Sequence, residues 1–331
     1  GSEMCIRDSD NGEKVQYDKL LVATGSKPFV PPMKDIDKVE NKFTFMTWDS
    51  AKAIREKVTA GTKVLIIGAG LIGLKCAEAL HHLNADITVV DLADRILPSI
   101  LDVRAGEIMQ KHIEDKGTKF ILGTSVEQFS KNSAKLTNGE TVDFDILVIA
   151  VGVRPNTELV SDAGGKVEKG IITDLHQQTT IDNVYAAGDC TVSHDCSSNT
   201  DRILALLPNA FMQGEVAGKN MAGEETLYLN AIPMNAIGFY GLHIITAGSY
   251  DGDEDITEDA DKEIYKKLVF KDGLLKGFIL MGDVARAGIY TSMIKEQIPL
   301  TEVDLDLLRD KPQMMMFGKA RREEKLAGKK H

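Results

Sequence analysis

The stretch Lys63-Val-Leu-Ile-Ile-Gly-Ala-Gly-Leu-Ile-Gly73, followed by Ala85-Asp-Ile-Thr-Val-Val90 and Asp91, decides the fold. The apolar run before Gly68 predicts a buried strand, the glycines a tight turn, and the residues from Leu71 a helix start. The second apolar run predicts another strand, this one ending in a carboxylate. Gly68 lets the chain leave the first strand sharply, Gly70 lets backbone approach a pyrophosphate, and Gly73 lets helix and strand pack closely. Leu71 and Ile72 belong to the helix start, where free N–H groups and the helix dipole favour negative charge. Asp91, 18 residues after Gly73, is placed to accept both ribose hydroxyls of an adenosine. A bare glycine motif is weak evidence; with its strand, helix and acid in register it reads as a dinucleotide site.

Asp91 also bears on which dinucleotide. A carboxylate there repels a 2′-phosphate, so NADH is favoured over NADPH. Arg95, four residues on, could approach such a phosphate, although its plainer role is that of a solvated or helix-capping side chain.

The totals narrow the classes. At 331 residues the chain can form two or three domains, and 43% hydrophobic with 27% charged residues suits a globular protein. A formal charge of −11 argues against nucleic acid as a partner, because neutralising phosphates needs a basic surface. No apolar run approaches the roughly 20 residues that span a bilayer, and no signal peptide is evident, so no membrane is expected. Four cysteines, Cys5, Cys76, Cys190 and Cys196, are too few for a disulfide scaffold and suit a reducing, cytoplasmic setting. Met4-Cys-Ile-Arg-Asp-Ser9 reads like a translated sequencing-library adapter, which sets residues 1–9 aside as non-native.

Elsewhere, Val15 to Val22 reads as a strand running into Ala23-Thr-Gly25, with Pro28, Pro31 and Pro32 marking an extended linker. Thr47 to Val58 reads as a helix with Asp49 or Ser50 near its cap, and Arg104 to Lys116 as another. Phe144 to Gly152 is an apolar strand, left through Val-Arg-Pro-Asn156. Val184-Tyr-Ala-Ala-Gly-Asp-Cys190 is followed by a polar loop and then by a helix from about Pro208. After Asn230 the pattern becomes strand-rich, with Lys271-Asp-Gly273 as a hairpin turn and a helix over Ala287 to Glu296.

Ala23-Thr-Gly25, Gly68-Ala-Gly-Leu-Ile-Gly73, Gly152-Val-Arg-Pro-Asn156 and Ala187-Gly-Asp189, in that order, resemble the FAD-dependent pyridine nucleotide–disulfide oxidoreductase superfamily. Within it the chain looks most like the NADH:acceptor branch of rubredoxin reductases and nitrite reductase flavin modules. The resemblance implies an α/β fold with a Rossmann-like NAD domain inserted in a split FAD domain, plus an α+β C-terminal interface domain. It divides the chain into an FAD-domain remnant (10–35), a linker helix (36–60), the NAD-binding domain (61–152), the second FAD part (153–228) and the interface domain with its tail (229–331). Gly68, Gly70, Leu71, Ile72, Gly73, Asp91 and Gly152 would then serve NAD. Ala23, Thr24, Gly25, Gly188 and Asp189 would serve FAD, Asp189 accepting from the ribityl chain. The implied reaction passes a hydride from NADH to flavin and electrons onward to an acceptor such as a rubredoxin, in a protein that can form a homodimer.

Two departures accompany the resemblance. The first FAD glycine fingerprint is absent upstream of Ala23, so the chain looks truncated, with an unpaired strand edge near Leu20 to Ala23. Lys75 also stands where the family often has an acid near the nicotinamide. Two alternatives stay open: a nucleotide-binding fragment that holds no flavin, and a cysteine-dependent disulfide or peroxide reductase. For the second, Cys190 and Cys196 flank a loop near the expected flavin, whereas Cys76 is most simply a packing residue. No residue is singled out as catalytic, and His81, His82 and His112 lack ligand spacing for a metal. The tail from Lys319 to Lys330 is locally basic and could steer an acidic electron carrier.

Overall fold

The computed structural model describes residues 5–8, 12 and 14–327. Most of the segment set aside as non-native lies outside these residues; Cys5–Asp8 pairs antiparallel with Lys14–Tyr17. Residues 328–330 of the basic tail also lie outside them.

The decisive stretch folds as it reads. Lys63–Ile67 is a strand, Leu71–His81 a helix and Asp86–Asp91 the next strand. They sit in a five-stranded parallel sheet of spatial order Lys42–Thr44, Ile146–Ile149, Lys63–Ile67, Asp86–Asp91, Lys119–Leu122. A parallel sheet buries both faces, and alternate side chains of one strand show it. Val64 and Ile66 pack with Leu74, Ala77, Met109 and Ile113 of the helices Leu71–His81 and Val103–Glu114. Leu65 and Ile67 pack on the other side with Phe129, Leu136 and Phe144, in and beside the three-stranded meander that starts at Val126. The helix Trp48–Lys57 is capped by Thr47, whose hydroxyl accepts from the Ser50 N–H while the Ser50 side chain returns a bond to the Thr47 N–H. The cap therefore lies two residues before Asp49, and the expected Ser50 closes a reciprocal box in the usual place of Glu.

A second, smaller unit is built from distant pieces of chain. Leu20–Val22 runs parallel to Val184–Ala186, and among the described residues no other strand pairs with it. Ser26–Pro28 runs antiparallel to Val153–Pro155. The helix Leu207–Met221 starts close to the expected Pro208. The polar loop read after Cys190 is instead a hairpin, Thr191–Asp195 against Thr200–Arg202. Its inward positions are Thr191, Ser193 and Asp195, all buried, so it shows no apolar alternation. They are satisfied by polar neighbours: the Gln213 amide spans Thr191 and Ser193, and Asp195 accepts from Ser197 and Ser198.

The C-terminal unit is a five-stranded antiparallel sheet, in the order Met234–Phe239, Leu242–Gly248, Leu274–Met281, Ile264–Lys271, Asp253–Asp259. Asp272 and Gly273 both have positive φ (53° and 70°), as a two-residue hairpin turn requires. One sheet face carries Leu268, Phe278 and Leu280 against Tyr290, Met293 and Ile294 of the helix Ala287–Lys295. The other face, with Ile244, Tyr265, Ile279 and Met281, joins the core of the nucleotide-type unit directly. The helix Lys319–Ala327 is tied to this unit by Arg321–Glu302 (2.8 Å) and Lys325–Glu296 (2.9 Å). Two of the cations expected to steer a carrier are thus paired with the protein's own acids. No helix among the described residues is long and apolar enough to cross a membrane.

Candidate functional site: a dinucleotide cleft beside a second glycine–aspartate turn

A cleft of about 670 Å³ opens at the carboxyl ends of the parallel strands, where open α/β sheets take their ligands. Gly68, Gly70, Leu71, Ile72, Asp91 and Gly152 all line it. Gly73 does not. It lies behind the turn, where any Cβ would collide with the Gly68 carbonyl. Gly68 has φ +113°, and a Cβ there would strike the Ala150 carbonyl. Gly70 differs from both: its φ is −85°, and an added Cβ would meet only open space. Among the described residues nothing meets a Cβ at Gly70, and the empty volume against its backbone would admit a ligand. Gly70 caps the helix without a side-chain hydrogen bond, which leaves the first N–H groups of Leu71–His81 without intrahelical partners. A pyrophosphate fits this donor set.

Asp91 is held in place before any ligand arrives. One carboxylate oxygen accepts from the Ala69 N–H (2.6 Å) and the other from the Ala93 N–H (2.8 Å). Both oxygens retain lone pairs for ribose hydroxyls. Among the described residues no lysine, arginine or histidine lines the cleft. Arg95, the one cation near enough in sequence to favour a 2′-phosphate, packs its Cδ toward Gly106 instead. Its Nε is buried without a partner, and an Nη reaches Asp94 at 3.4 Å. The sequence did not indicate the remaining walls: Phe29, Pro31 to Met33, Leu92, Pro98, Ser99 and Thr124 to Val126. Their signal was positional, since Leu92 and Thr124 follow the ends of the parallel strands Asp86–Asp91 and Lys119–Leu122.

Lys75 points away from the cleft's chemistry. Its ammonium pairs with Glu78 and donates to the Gly238 carbonyl (3.1 Å) in the C-terminal unit.

The FAD-type residues form a second cluster next to the first. Thr24 Oγ1 donates to the Asn156 carbonyl (2.6 Å), Asn156 Nδ2 donates to the Thr24 carbonyl (2.8 Å), and the Asn156 N–H donates to Gly25 (2.9 Å). The Ala187 N–H donates to the Val22 carbonyl, bringing Gly188 and Asp189 alongside. Gly188 has φ +86°, and its N–H donates to Gln213 Oε1 at 2.5 Å. Among the described residues Asp189 accepts a long bond from Ser26 Oγ (3.4 Å), and its half-exposed carboxylate is open to polyol hydroxyls. Ala23 and Thr24 are exposed beside it. This donor and acceptor set fits the ribityl side of a flavin.

Among the described residues Cys76, Cys190 and Cys196 form no disulfide, and all three are buried. Burial pushes the Cys76 thiol up to about 12, and burial with the nearby Asp195 raises that of Cys196, the opposite of what an attacking thiolate needs. Cys190 Sγ sits against the Ala187 carbonyl (3.4 Å) as part of the turn's packing. Among the described residues no group of three His, Cys, Asp or Glu side chains could hold a metal ion.

Known proteins resemble the chain over most of its length. Residues 233–298 match the model of the rubredoxin NAD+ reductase C-terminal domain. The epsilon subunit of an NADH-dependent phenylglyoxylate dehydrogenase from Aromatoleum evansii is 33% identical over 88% of the chain and 71% of its own length. The assimilatory nitrate reductase electron transfer subunit of Bacillus subtilis is 32% identical over 87% of the chain, which spans only 38% of that protein. Among solved structures, a NAD-dependent persulfide reductase from A. fulgidus superposes with a TM-score of 0.78 at 27% identity, over 88% of this chain and 60% of that one. Residues 2–214 match the model of the pyridine nucleotide-disulphide oxidoreductases, and the chain belongs to that family.

Proposed function

We propose that the chain works as part of an FAD-dependent NADH:acceptor oxidoreductase, with a small electron-transfer protein as the acceptor. The observation that carries this reading is the junction between the two clusters. Phe29 and Gly152 line the dinucleotide cleft and are joined by a hydrogen bond (2.9 Å). From them the paired strands Ser26–Pro28 and Val153–Pro155 lead directly to Gly25, Thr24 and Asn156. Three residues of strand cover about 10 Å, so a nicotinamide and a flavin ring held by the two clusters would be neighbours.

Bound there, NADH would supply a hydride and FAD would accept it, and the protein's part is to position and shield the two. The glycine turn and the start of Leu71–His81 hold the pyrophosphate, and Asp91 holds the adenosine ribose and disfavours a 2′-phosphate. Leu92 and Val151 are exposed apolar side chains at the cleft and are placed to cover rings. On the flavin side Asp189 orients the polyol, while Gln213 braces the Gly188 turn from behind. The acceptor assignment draws on the rubredoxin reductase-type C-terminal domain and on the electron-transfer role that the Bacillus subtilis relative's name gives it.

The test is an anaerobic visible spectrum of the protein after loading with FAD and removal of excess, before and after NADH. The expected result is a retained band near ~450 nm that NADH bleaches. A protein that retains no flavin, or whose flavin NADH leaves oxidised, contradicts the proposal.

A further inference from the structure

Strands Met234–Phe239 and Leu242–Gly248 are joined by the two-residue turn Tyr240-Gly241, and both residues have positive φ (50° and 91°). Gly241 is at ease there; a tyrosine is not, since such turns take Asn, Asp or Gly. Strain of this kind persists where the surroundings over-determine it. Here they do, through four contacts from the nucleotide-type unit. The Tyr240 N–H donates to Glu78 Oε1 (2.6 Å), and His112 Nε2 lies 3.2 Å from its carbonyl oxygen. Its phenol hydroxyl bonds Thr118 Oγ1 (3.1 Å), and its ring meets His81 edge-on at 5.2 Å. The other nitrogen of His112 is 2.9 Å from Glu263, a second C-terminal residue with positive φ (54°).

Both helices that Tyr240 grips lead to the cleft. Leu71–His81 carries Glu78 and His81 near one end, while Leu71 and Ile72 at its other end line the cleft. Val103–Glu114, which carries His112, follows Pro98 and Ser99 of the cleft wall. We propose that Tyr240 is a positioning residue that latches the C-terminal sheet between these two helices and thereby holds the Gly68–Gly73 turn in its ligand-ready shape. The latch as a nucleotide-affinity device rests on the dinucleotide reading above. As a mechanical coupling between the two turns it does not.

Tyr240→Gly tests the side chain's part in it, because glycine suits the turn, keeps the backbone bonds to Glu78 and His112, and removes the ring and hydroxyl contacts with His81 and Thr118. Tyr240→Asn, also accepted by the turn, stands in if the glycine variant fails to fold. Tyr240→Phe removes only the bond to Thr118. Two readouts are taken: amide hydrogen exchange over residues 68–73 without nucleotide, and NADH affinity by fluorescence titration. The latch predicts faster exchange at 68–73 in Tyr240→Gly and about tenfold weaker NADH binding, with Tyr240→Phe close to the parent protein. By reciprocity, NADH should slow exchange at residues 238–242 of the parent. Unchanged exchange at 68–73 in folded Tyr240→Gly overturns the latch whatever NADH does, as does NADH binding that is undiminished in that variant. Faster exchange in a protein whose parent form does not bind NADH leaves the coupling standing and refutes the dinucleotide reading instead.

Discussion

Gly70 and Gly73 stand three residues apart in one motif, yet the structure asks different things of them. A Cβ at Gly73 would run into the Gly68 carbonyl, which cannot yield without breaking the turn. A Cβ at Gly70 would enter open space from an ordinary backbone conformation. Gly73→Ala should therefore cost stability, about 2–4 kcal/mol as an overpacked site, together with NADH binding. Gly70→Val should leave the melting temperature within a few degrees while reducing NADH affinity by at least about tenfold, because it removes only ligand space. Paired calorimetry and titration of the two variants checks this contrast; equal effects on stability would show that both glycines serve only the turn. The motif was legible in sequence because each of its residue types has few substitutes at that place. Tyr240 was not legible. A tyrosine before a glycine carries no sign of φ +50°, and its justification lies in Glu78, Thr118 and His112, more than a hundred residues away in the chain.

At the scale of elements, reading by apolar period found the strands Lys63–Ile67, Asp86–Asp91 and Ile146–Ile149, the longer helices and the Asp272-Gly273 hairpin, but not the short parallel strand Lys42–Thr44. It also failed on two other kinds of strand. The Thr191–Asp195 hairpin turns polar side chains inward and satisfies them with Gln213 and Ser197, so its alternation is invisible to a hydrophobic count. Asp253–Asp259 is an edge strand whose acids face solvent or pair with Arg104, Lys267 and Arg309, a charged edge that discourages further strand addition. The contact between helix Val103–Glu114 and the C-terminal sheet centres on Asp102, the helix cap. Burial would raise its carboxyl, but bonds from Tyr265 Oη, the Ala105 N–H and the Lys267 ammonium outweigh burial and hold it below the ordinary 3.8. A depressed folded-state value means stabilisation that is full above the unfolded value and drains away as pH falls through the folded one. Asp102→Asn keeps a good cap. The variant should therefore lose about 1–3 kcal/mol at neutral pH, with the deficit shrinking as pH drops below 3.8. Denaturant melts at neutral and acidic pH measure this; a deficit independent of pH would show that the ionised carboxylate contributes nothing.

For the whole molecule, the C-terminal sheet acts as a bridge. One face completes the core under the dinucleotide helices, and the other carries helix Ala287–Lys295. The Cys196 N–H meets the Ala231 carbonyl and Asn209 Nδ2 meets the Ile232 carbonyl, joining the flavin-type unit to the segment that leads into the same sheet. The order of motifs along the chain was enough to anticipate this architecture. It could not show that the Thr24–Asn156 exchange and one short strand pair set the two cofactor clusters side by side, because that depends on where distant segments meet. The Gly68–Gly73 cleft, with Asp91 at its edge, is proposed above as a site for NADH. Titration of NADH and NADPH into the purified protein, followed by nicotinamide fluorescence, tests it most directly. Saturable NADH binding with NADPH at least about tenfold weaker is the result predicted from the Asp91 carboxylate and a cleft that no cation lines among the described residues. No saturable NADH binding, or equal affinity for the two nucleotides, would contradict it.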